Sequence, residues 1–269
     1  MQLNRELLDH VCDIAIAAGQ KTLPIYNSNF EVQTKDDDSP LTQADLAAHR
    51  SIKQALEALT PDIPQLSEEA ADIDFETRRA WSTYWLIDPL DGTKEFVNKN
   101  DQFTINIALI VDHEPVLGAV YAPVLGTLWF AARSLGAFRQ QGDAAAEAIA
   151  TVAAKRDKPR VLVSRSHRTP DIDALLDRMP DYEPVTMGSS LKFCVIADGS
   201  ADFYPRLGPT SEWDTAAGHA VLACAGGQVT DLAGEALRYN VTESVLNPHF
   251  LAFGDTAHDW RAYLPESTR

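Results

Sequence analysis

The stretch "WLIDPLDGTKEF", residues 85–96, joins an apolar, strand-like segment to a turn that carries two aspartates. Pro89 fixes its own φ and disfavours a helical conformation at Asp88, so the chain has to turn here. A tight turn can direct Asp88, Asp91 and the carbonyl of Leu90 toward one point, and such oxygen ligands suit a hard cation such as Mg²⁺. The same residues also fit an ordinary acidic turn in which Asp88 caps a helix. The turn by itself leaves both interpretations open.

Other segments could add groups to the same site. "LSEEA" carries Glu68 and Glu69 after a probable strand, and "WDTAAG" puts Asp214 at the start of a helix. Gly92 and Thr93 supply a flexible joint and a hydroxyl beside N–H groups that open a helix, an arrangement that attracts phosphate. The simpler alternatives are a solvated acidic loop at residues 67–70 and a plain helix cap at Asp214.

Composition limits the class of protein. The chain has 269 residues, 45% of them hydrophobic, a formal net charge of −16 and a pI near 4.7. This charge repels nucleic acid polymers and anionic lipid, whereas a small anionic substrate remains possible where metal ions reverse the local sign. Three cysteines without C-x-x-C spacing, no signal peptide and no apolar run near ~18 residues predict a cytoplasmic protein with reduced thiols and no transmembrane segment. No obligate protein partner is evident.

Periodicity predicts helices first and strands second. Residues 3–20 form an amphipathic pattern that ends at Gly19, and Thr42 with Asp45 has capping-box spacing for a helix through Leu59. From Trp81 to about residue 141 the pattern is a meander of antiparallel strands: "WSTYWLI", "FTINIALIV", "PVLGAVYA", "TLWFAA" and "GAFRQ". Helices and strands alternate afterwards. We therefore predict two mixed α/β sub-domains, residues 1–150 with most of the acidic site and residues 151–269 with Asp214.

The acidic segments also carry a family resemblance. "SEE", "WLIDPLDGTKEF" and "WDTAAGHAVLACAGG" resemble the three signature blocks of the inositol monophosphatase superfamily, the Mg²⁺-dependent, lithium-sensitive phosphomonoesterases. Within it, "DPLDGTKEF", "FTINIALI", "SRSH", "GSSLKFC" and "YPRLGPTSEWDTAAGHAV" are most similar to the bacterial 3′(2′),5′-bisphosphate nucleotidases. The resemblance covers nearly the whole chain and implies an α/β (α+β) fold, a layered αβαβα sandwich.

The resemblance also implies roles for individual residues. The metal positions, expected to hold two or three Mg²⁺ ions, match Glu68, Asp88, the Leu90 carbonyl, Asp91 and Asp214, with Glu69 less certain. The residues that orient the attacking water match Glu68, Thr93 and Asp45, although Asp45 is also explained by helix-start chemistry alone. The substrate contacts match Gly92, Thr93, Ser164, His167, Ser189, Lys192, Arg206 and Asp214. Lys94 either neutralises phosphate or faces solvent.

The implied activity is hydrolysis of a small bisphosphate nucleotide by metal-activated water. Adenosine 3′,5′-bisphosphate would give AMP, and its sulfated analogue would give adenylyl sulfate, a role in sulfur assimilation and nucleotide recycling. The alternatives are an inositol or sugar phosphate monoesterase of the same superfamily, cleavage of very short oligoribonucleotides, or a non-catalytic regulator that binds a partner protein. The resemblance also leaves open a loose association with the cytoplasmic face of the inner membrane.

Overall fold

The computed structural model describes residues 3–28, 40–154, 157–163 and 169–266. The helices are α1 (Arg5–Tyr26), α2 (Pro40–Leu59), α3 (Phe75–Arg78), α4 (Thr93–Val97), α5 (Pro170–Asp177), α6 (Leu191–Ala197) and α7 (Glu212–Cys224). The strands are β1 (Gln65–Ser67), β2 (Thr83–Asp91), β3 (Thr104–Val111), β4 (Glu114–Ala122), β5 (Thr127–Ala132), β6 (Gly136–Gln141), β7 (Glu147–Ile149), β8 (Arg160–Val163), β9 (Glu183–Thr186), β10 (Phe203–Arg206), β11 (Gln228–Asp231) and β12 (Phe250–Phe253). Two 3₁₀ turns occupy Glu68–Ala70 and Trp260–Tyr263. None of the helices in these ranges has both the length and the apolar character to cross a membrane.

The first sheet is a meander, as the strand pattern predicted. Its order is β1-β2-β3-β4-β5-β6-β7 among the described strands, with β1 parallel to β2 and all later neighbours antiparallel. Side chains alternate between the two faces of a strand, so Ile105, Ile107 and Leu109 pack with α1 and α2, whereas Ala108 and Ile110 face the opposite side. The sheet is therefore buried on both faces.

A second sheet completes a layered structure. Its order is β11-β12-β10-β8-β9, and one face packs with α6 and α7 against the first sheet. Its other face packs against α5 and the C-terminal 3₁₀ turn through Phe203, Leu251 and Trp260. From one side to the other the layers are α1/α2, first sheet, α6/α7, second sheet and α5. The expected αβαβα sandwich is confirmed.

Two helix boundaries differ from the sequence prediction. Helix α1 continues past Gly19 to Tyr26, because a glycine costs an interior helix only about 1 kcal/mol and this one is required by packing. A Cβ at Gly19 would lie 2.7 Å from the Tyr121 ring on β4. Helix α2 begins at Pro40, so Thr42 lies inside its first turn and the predicted capping box is wrong.

The proposed division near residue 150 falls between the two sheets, and it remains a prediction. Strand β7 ends at Ile149 and β8 begins at Arg160. Helix α7, although it belongs to the second half of the chain, packs across the first sheet, and a Cβ at Gly118 on β4 would lie 2.4 Å from the Ala217 carbonyl oxygen. The central helix layer thus depends on a close approach between β4 and α7.

Replacing Gly118 by Ala should test this approach. The added methyl group cannot avoid a backbone atom without moving α7, so we expect a loss of about 2 kcal/mol or more in the free energy of unfolding. The control is Gly208→Ala, where the nearest atom to a new Cβ among the described residues is Thr169 Cγ2 at 3.9 Å. Urea denaturation measures both variants, and equal stability of the two would contradict the proposed packing constraint.

Candidate active site

The acidic residues line one cavity of about 410 Å³. Its walls come from the end of β2, the start of α4, the segment before α6, the end of β10 and the start of α7. Eleven of the sequence-predicted residues line it: Glu68, Asp88, Leu90, Asp91, Gly92, Thr93, Lys94, Ser189, Lys192, Arg206 and Asp214. The fold therefore collects residues that are more than a hundred positions apart in the chain.

A β-bulge directs Asp88 and Asp91 to the same side of the sheet. Strand β2 does not stop before Asp88, as the sequence suggested, but continues to Asp91 with a register shift. Asp88 lies opposite Asn106 and Asp91 opposite Thr104, so three steps on β2 correspond to two on β3. The extra residue restores the two-residue alternation that a spacing of three would otherwise break. The Leu90 N–H donates to Asp88 Oδ1 at 3.0 Å, which stabilises the turn.

Asp214 reaches the same point from the start of α7. One oxygen atom from each of Asp88, Asp91 and Asp214 lies within 4.8 Å of the other two. The helix begins at Glu212 after Ser211, so Asp214 is its third residue and not the entry residue that we predicted. Its Oδ2 accepts hydrogen bonds from Thr210 Oγ1 at 2.7 Å and from the Ser211 N–H at 2.9 Å. Asp214 therefore stabilises the start of α7 and also belongs to the acidic cluster.

The electrostatics of the cluster favour a bound cation. Burial, followed by the neighbouring carboxylates, raises the pKa of Glu68 to about 7 and that of Asp214 to about 6. The same causes raise the pKa of Asp88, whose side chain is buried, well above its usual range. A hard divalent ion bound among these oxygens would neutralise the repulsion, so the residues fit the Mg²⁺ that the family resemblance implied.

The two cationic residues lie on the same cavity. Lys192 is 7% exposed, and its Nζ donates to the Ser189 carbonyl at 2.8 Å and lies 5.4 Å from the centre of the Tyr204 ring. Arg206 Nη2 donates to the Pro209 carbonyl at 2.6 Å. Its buried Nε has no partner within the described part of the chain. A cation that is held in place by a backbone carbonyl is suited to bind an anionic group of a ligand.

The remaining predicted residues have different positions. Asp45, buried in α2, does not line the cavity but lies close enough to Asp88 to raise the pKa of that carboxyl group. Lys94 is exposed at the cavity edge. Ser164 and His167 lie outside the described residues, so their proposed substrate contacts remain predictions.

Sequence reasoning missed a group of buried polar residues beneath the cluster. Thr104 and Asn106 on β3 and Ser190 at the start of α6 are 0–2% exposed. The signal was present in "FTINIALI", where Thr104 and Asn106 occupy successive positions of one strand face that is otherwise apolar. Burial, not motif identity, is what makes these residues notable.

Comparison with known proteins agrees with the fold and the acidic segments. The sequence profile of the inositol monophosphatase family matches residues 3–262. This chain belongs to the inositol monophosphatase family. The expectation of a phosphatase of this family is therefore confirmed.

Individual members of the family are similar to this chain over nearly their whole length. The 3′(2′),5′-bisphosphate nucleotidase CysQ of Escherichia coli K12 is 46% identical over 248 residues, 91% of this chain and 98% of that protein. The protein of the same name from Haemophilus influenzae is 39% identical over 264 residues, 97% of this chain and 98% of that protein. The crystal structure of CysQ from Bacteroides thetaiotaomicron, a bacterial member of the family, has a TM-score of 0.84 and 40% identity, covering 94% of this chain and 98% of that one.

The pKa shifts predict how metal removal affects stability. Without metal, the folded protein keeps protons on Glu68 and Asp214 that the unfolded chain releases, so these groups lower the stability as the pH rises from about 4 to about 7. Asp88→Asn removes one of the repelling charges. In EDTA at pH 8 we expect it to raise Tm by about 2–4 °C, equivalent to about 1 kcal/mol, with a smaller gain at pH 5.

Differential scanning fluorimetry with EDTA or Mg²⁺ measures both effects. Mg²⁺ should raise the Tm of the parent protein and leave the Tm of the Asp88→Asn variant almost unchanged. Asp62→Asn, at an exposed carboxylate, is the control and should behave like the parent. An equal response of Asp88→Asn and the parent to Mg²⁺ would contradict the cation site.

Proposed function

We propose that this protein is a Mg²⁺-dependent 3′(2′),5′-bisphosphate nucleotidase that converts adenosine 3′,5′-bisphosphate to AMP and phosphate. Its sulfated analogue would give adenylyl sulfate, which assigns the protein to sulfur assimilation and nucleotide recycling. The observation that carries the proposal is one cavity lined by two kinds of binding group: an acidic cluster, and the cations Lys192, which is buried, and Arg206, which is half-buried. The nucleotidase names of relatives at 39–46% identity support the same substrate class.

The acidic residues would hold the metal ions. Glu68, Asp88, Asp91, Asp214 and the Leu90 carbonyl offer oxygen ligands, and two or three Mg²⁺ ions is our proposal for their number. Bound divalent ions supply activation of the attacking water and stabilisation of the negative charge that develops on the phosphate and leaving oxygen. Phosphate monoester hydrolysis needs such help, because its uncatalysed barrier is among the largest known.

The protein groups around the cluster would position the reactants. The Thr93 hydroxyl at the start of α4 and the carboxylates of Asp45 and Glu68 are our candidates to orient the attacking water. The backbone N–H groups of Gly92 and Thr93 would bind the reacting phosphate at the turn after β2. The contribution of these residues is orientation before the reaction begins, which removes an entropic part of the barrier.

The cations would distinguish a bisphosphate from a monophosphate. A nucleotide with phosphates at two positions needs a second anion site away from the bond that breaks. Lys192 is suited to this role because its Nζ is fixed by the Ser189 carbonyl and the Tyr204 ring inside the cavity. Arg206, with a buried Nε that can still donate, is the second candidate. We also keep Ser164, His167 and Ser189 as proposed substrate contacts.

We propose a cytoplasmic location with a small nucleotide as the ligand. The net charge of −16 opposes binding of nucleic acid polymers. The thiols of Cys12, Cys194 and Cys224 are not joined in disulfides in the structure, as expected in a reducing compartment. Association with the inner membrane and an additional protein partner stay open alternatives.

A substrate panel tests the proposed activity. Phosphate release is measured with Mg²⁺ from adenosine 3′,5′-bisphosphate, inositol 1-phosphate and fructose 1,6-bisphosphate at matched concentrations, with and without Li⁺. We expect the highest kcat/KM for the nucleotide and inhibition by Li⁺. A clear preference for inositol 1-phosphate would refute the nucleotidase assignment, and metal binding without any phosphate release would favour a regulatory protein.

Lys192→Met tests how the second phosphate is recognised. Methionine keeps much of the apolar stem over Tyr204 and removes the charge, so kcat/KM for the bisphosphate nucleotide should fall about 10- to 100-fold, as for loss of a hydrogen bond to a charged group. The value for inositol 1-phosphate should change by less than about threefold, because that substrate has no second phosphate to lose a partner.

The matched control is Lys158→Met, at an exposed lysine whose Nζ lies 3.4 Å from Asp181. It should leave both substrates unaffected. Equal losses on the two substrates with Lys192→Met would show that Lys192 does not act on the second phosphate.

A further inference from the structure

We propose that Thr104, Asn106 and Ser190 form a buried hydrogen-bonded network that positions Asp91 for metal binding through Ser189. This inference rests on the proposed function, since it gives a role to residues beneath the same acidic cluster. The three residues line one side of β3 and the start of α6, and none has a charge. Their contribution would be to fix the orientation of the Asp91 carboxylate before a cation arrives.

The contacts form a continuous path to Asp91. Asp91 Oδ2 accepts hydrogen bonds from Ser189 Oγ at 2.5 Å and from the Ser190 N–H at 2.6 Å. Ser189 Oγ is 2.6 Å from Thr104 Oγ1, which is 2.8 Å from Ser190 Oγ. The structure places Asn106 Oδ1 toward both inner hydroxyls, 2.8 Å from Ser190 Oγ and 3.2 Å from Thr104 Oγ1.

Counting protons assigns a direction to this path. Ser189 donates its one hydroxyl proton to Asp91, so Thr104 has to donate to Ser189 and Ser190 to Thr104. Ser190 then has no proton left for Asn106, and the amide has to donate to Ser190 through Nδ2. With Oδ1 facing the hydroxyls, as the structure places it, Nδ2 has no acceptor within the described residues, and exchanging the two ends of the amide turns Nδ2 toward Ser190. The two ends of an amide have nearly the same shape, so the proton count decides between them.

The path therefore runs Asn106 to Ser190 to Thr104 to Ser189 to Asp91, with every hydroxyl donating one bond and accepting one. Hydrogen bonds in such a chain polarise one another, and the last of them ends on a carboxylate oxygen. This arrangement fixes Oδ2 of Asp91 on the protein side. The carboxylate can then offer its other oxygen to a cation with little reorientation.

The backbone around Ser189 supports the same geometry. Ser189 has φ of 52°, a left-handed conformation that costs a non-glycine residue on the order of 1 kcal/mol or more. The preceding Gly188 N–H donates to Gln102 Oε1 at 2.9 Å, and a Cβ at Gly188 would lie 2.6 Å from Glu95 Cγ. The segment is thus held against the first half of the chain, so that the Ser189 hydroxyl and the Ser190 N–H reach the same oxygen.

Folding alone does not explain these residues. Ala108 and Ile110 continue the same face of β3 as apolar residues, and valine at 104 would suit a buried strand without placing a hydroxyl there. Burying polar groups has a cost unless their hydrogen bonds are satisfied. The network gives nearly all of these buried polar groups a hydrogen-bond partner, and its donors all lead toward Asp91. This direction indicates a role at the acidic cluster.

The test measures metal binding directly, without catalysis. The full-length protein is stripped of metal with EDTA and titrated with Mn²⁺, and free Mn²⁺ is followed by electron paramagnetic resonance. Thr104→Val removes one hydroxyl at nearly constant volume and should weaken Mn²⁺ binding about tenfold or more, the effect typical of residues that orient metal ligands. Thr104→Ser keeps the hydroxyl and should stay within about twofold of the parent.

The control is Thr127→Val. Thr127 is a buried threonine on β5 whose Oγ1 donates to Gln141 Oε1 at 2.6 Å, and it does not line the cavity. We expect this variant to lower the free energy of unfolding and to keep the parent's Mn²⁺ affinity. The concentration of Mg²⁺ that gives half-maximal phosphate release should rise for Thr104→Val and not for Thr127→Val.

The possible outcomes separate this inference from the proposed function. If Thr104→Val binds Mn²⁺ as tightly as the parent while Asp88→Asn does not, the network inference is wrong and the metal site stands. If the parent protein itself does not bind Mn²⁺, the metal-dependent function fails. If Thr104→Val does not fold, Ser190→Ala, which keeps the backbone N–H and removes the hydroxyl, decides the question in the same way.

Discussion

Repulsion among the carboxylates of Asp88, which is buried, and of Asp91 and Asp214, which are half-buried, is the constraint on which the site depends. Their oxygens lie within 4.8 Å of one another, and burial removes the water that would otherwise screen them. The protein holds them there with hydrogen bonds to Asp91 and Asp214 and with the turn at Leu90. Without a cation the repulsion within the cluster lowers the free energy of unfolding, so an acidic cluster of this kind is a local cost that the rest of the fold offsets.

Packing within the layered architecture supplies the stability that offsets this repulsion. The first sheet is buried on both faces, and helix α7 packs closely against β4 at Gly118, so the start of α7 is held in place. Asp214 can therefore meet Asp88 and Asp91 although it comes from the other half of the chain. Rigid elements of this kind position ligands more accurately than loops do. The bulge in β2 interrupts its pairing with β3 between Asp88 and Asp91, and it directs both side chains to the acidic cluster.

The sequence alone predicted most of the strands of the first sheet, because short runs of apolar residues separated by turn residues are a local signal. It was less accurate at helix boundaries. Gly19 reads as a helix end, yet α1 continues, since packing against Tyr121 outweighs a weak propensity. Thr42 and Asp45 read as a capping box, yet α2 starts two residues earlier. Local spacing cannot report contacts made by residues that are distant in the chain.

The sequence by itself predicted the acidic groups of the candidate site, which are the turn at residues 88–91, Glu68 and Asp214, and it indicated the family to which these segments belong. The tertiary structure alone decided how they meet. The bulge between Asp88 and Asp91 depends on pairing with β3, and the path from Asn106 to Asp91 joins residues of two distant segments. Buried polar contacts of this kind follow from three-dimensional proximity and desolvation, and neither property can be read from the spacing of residues along one chain.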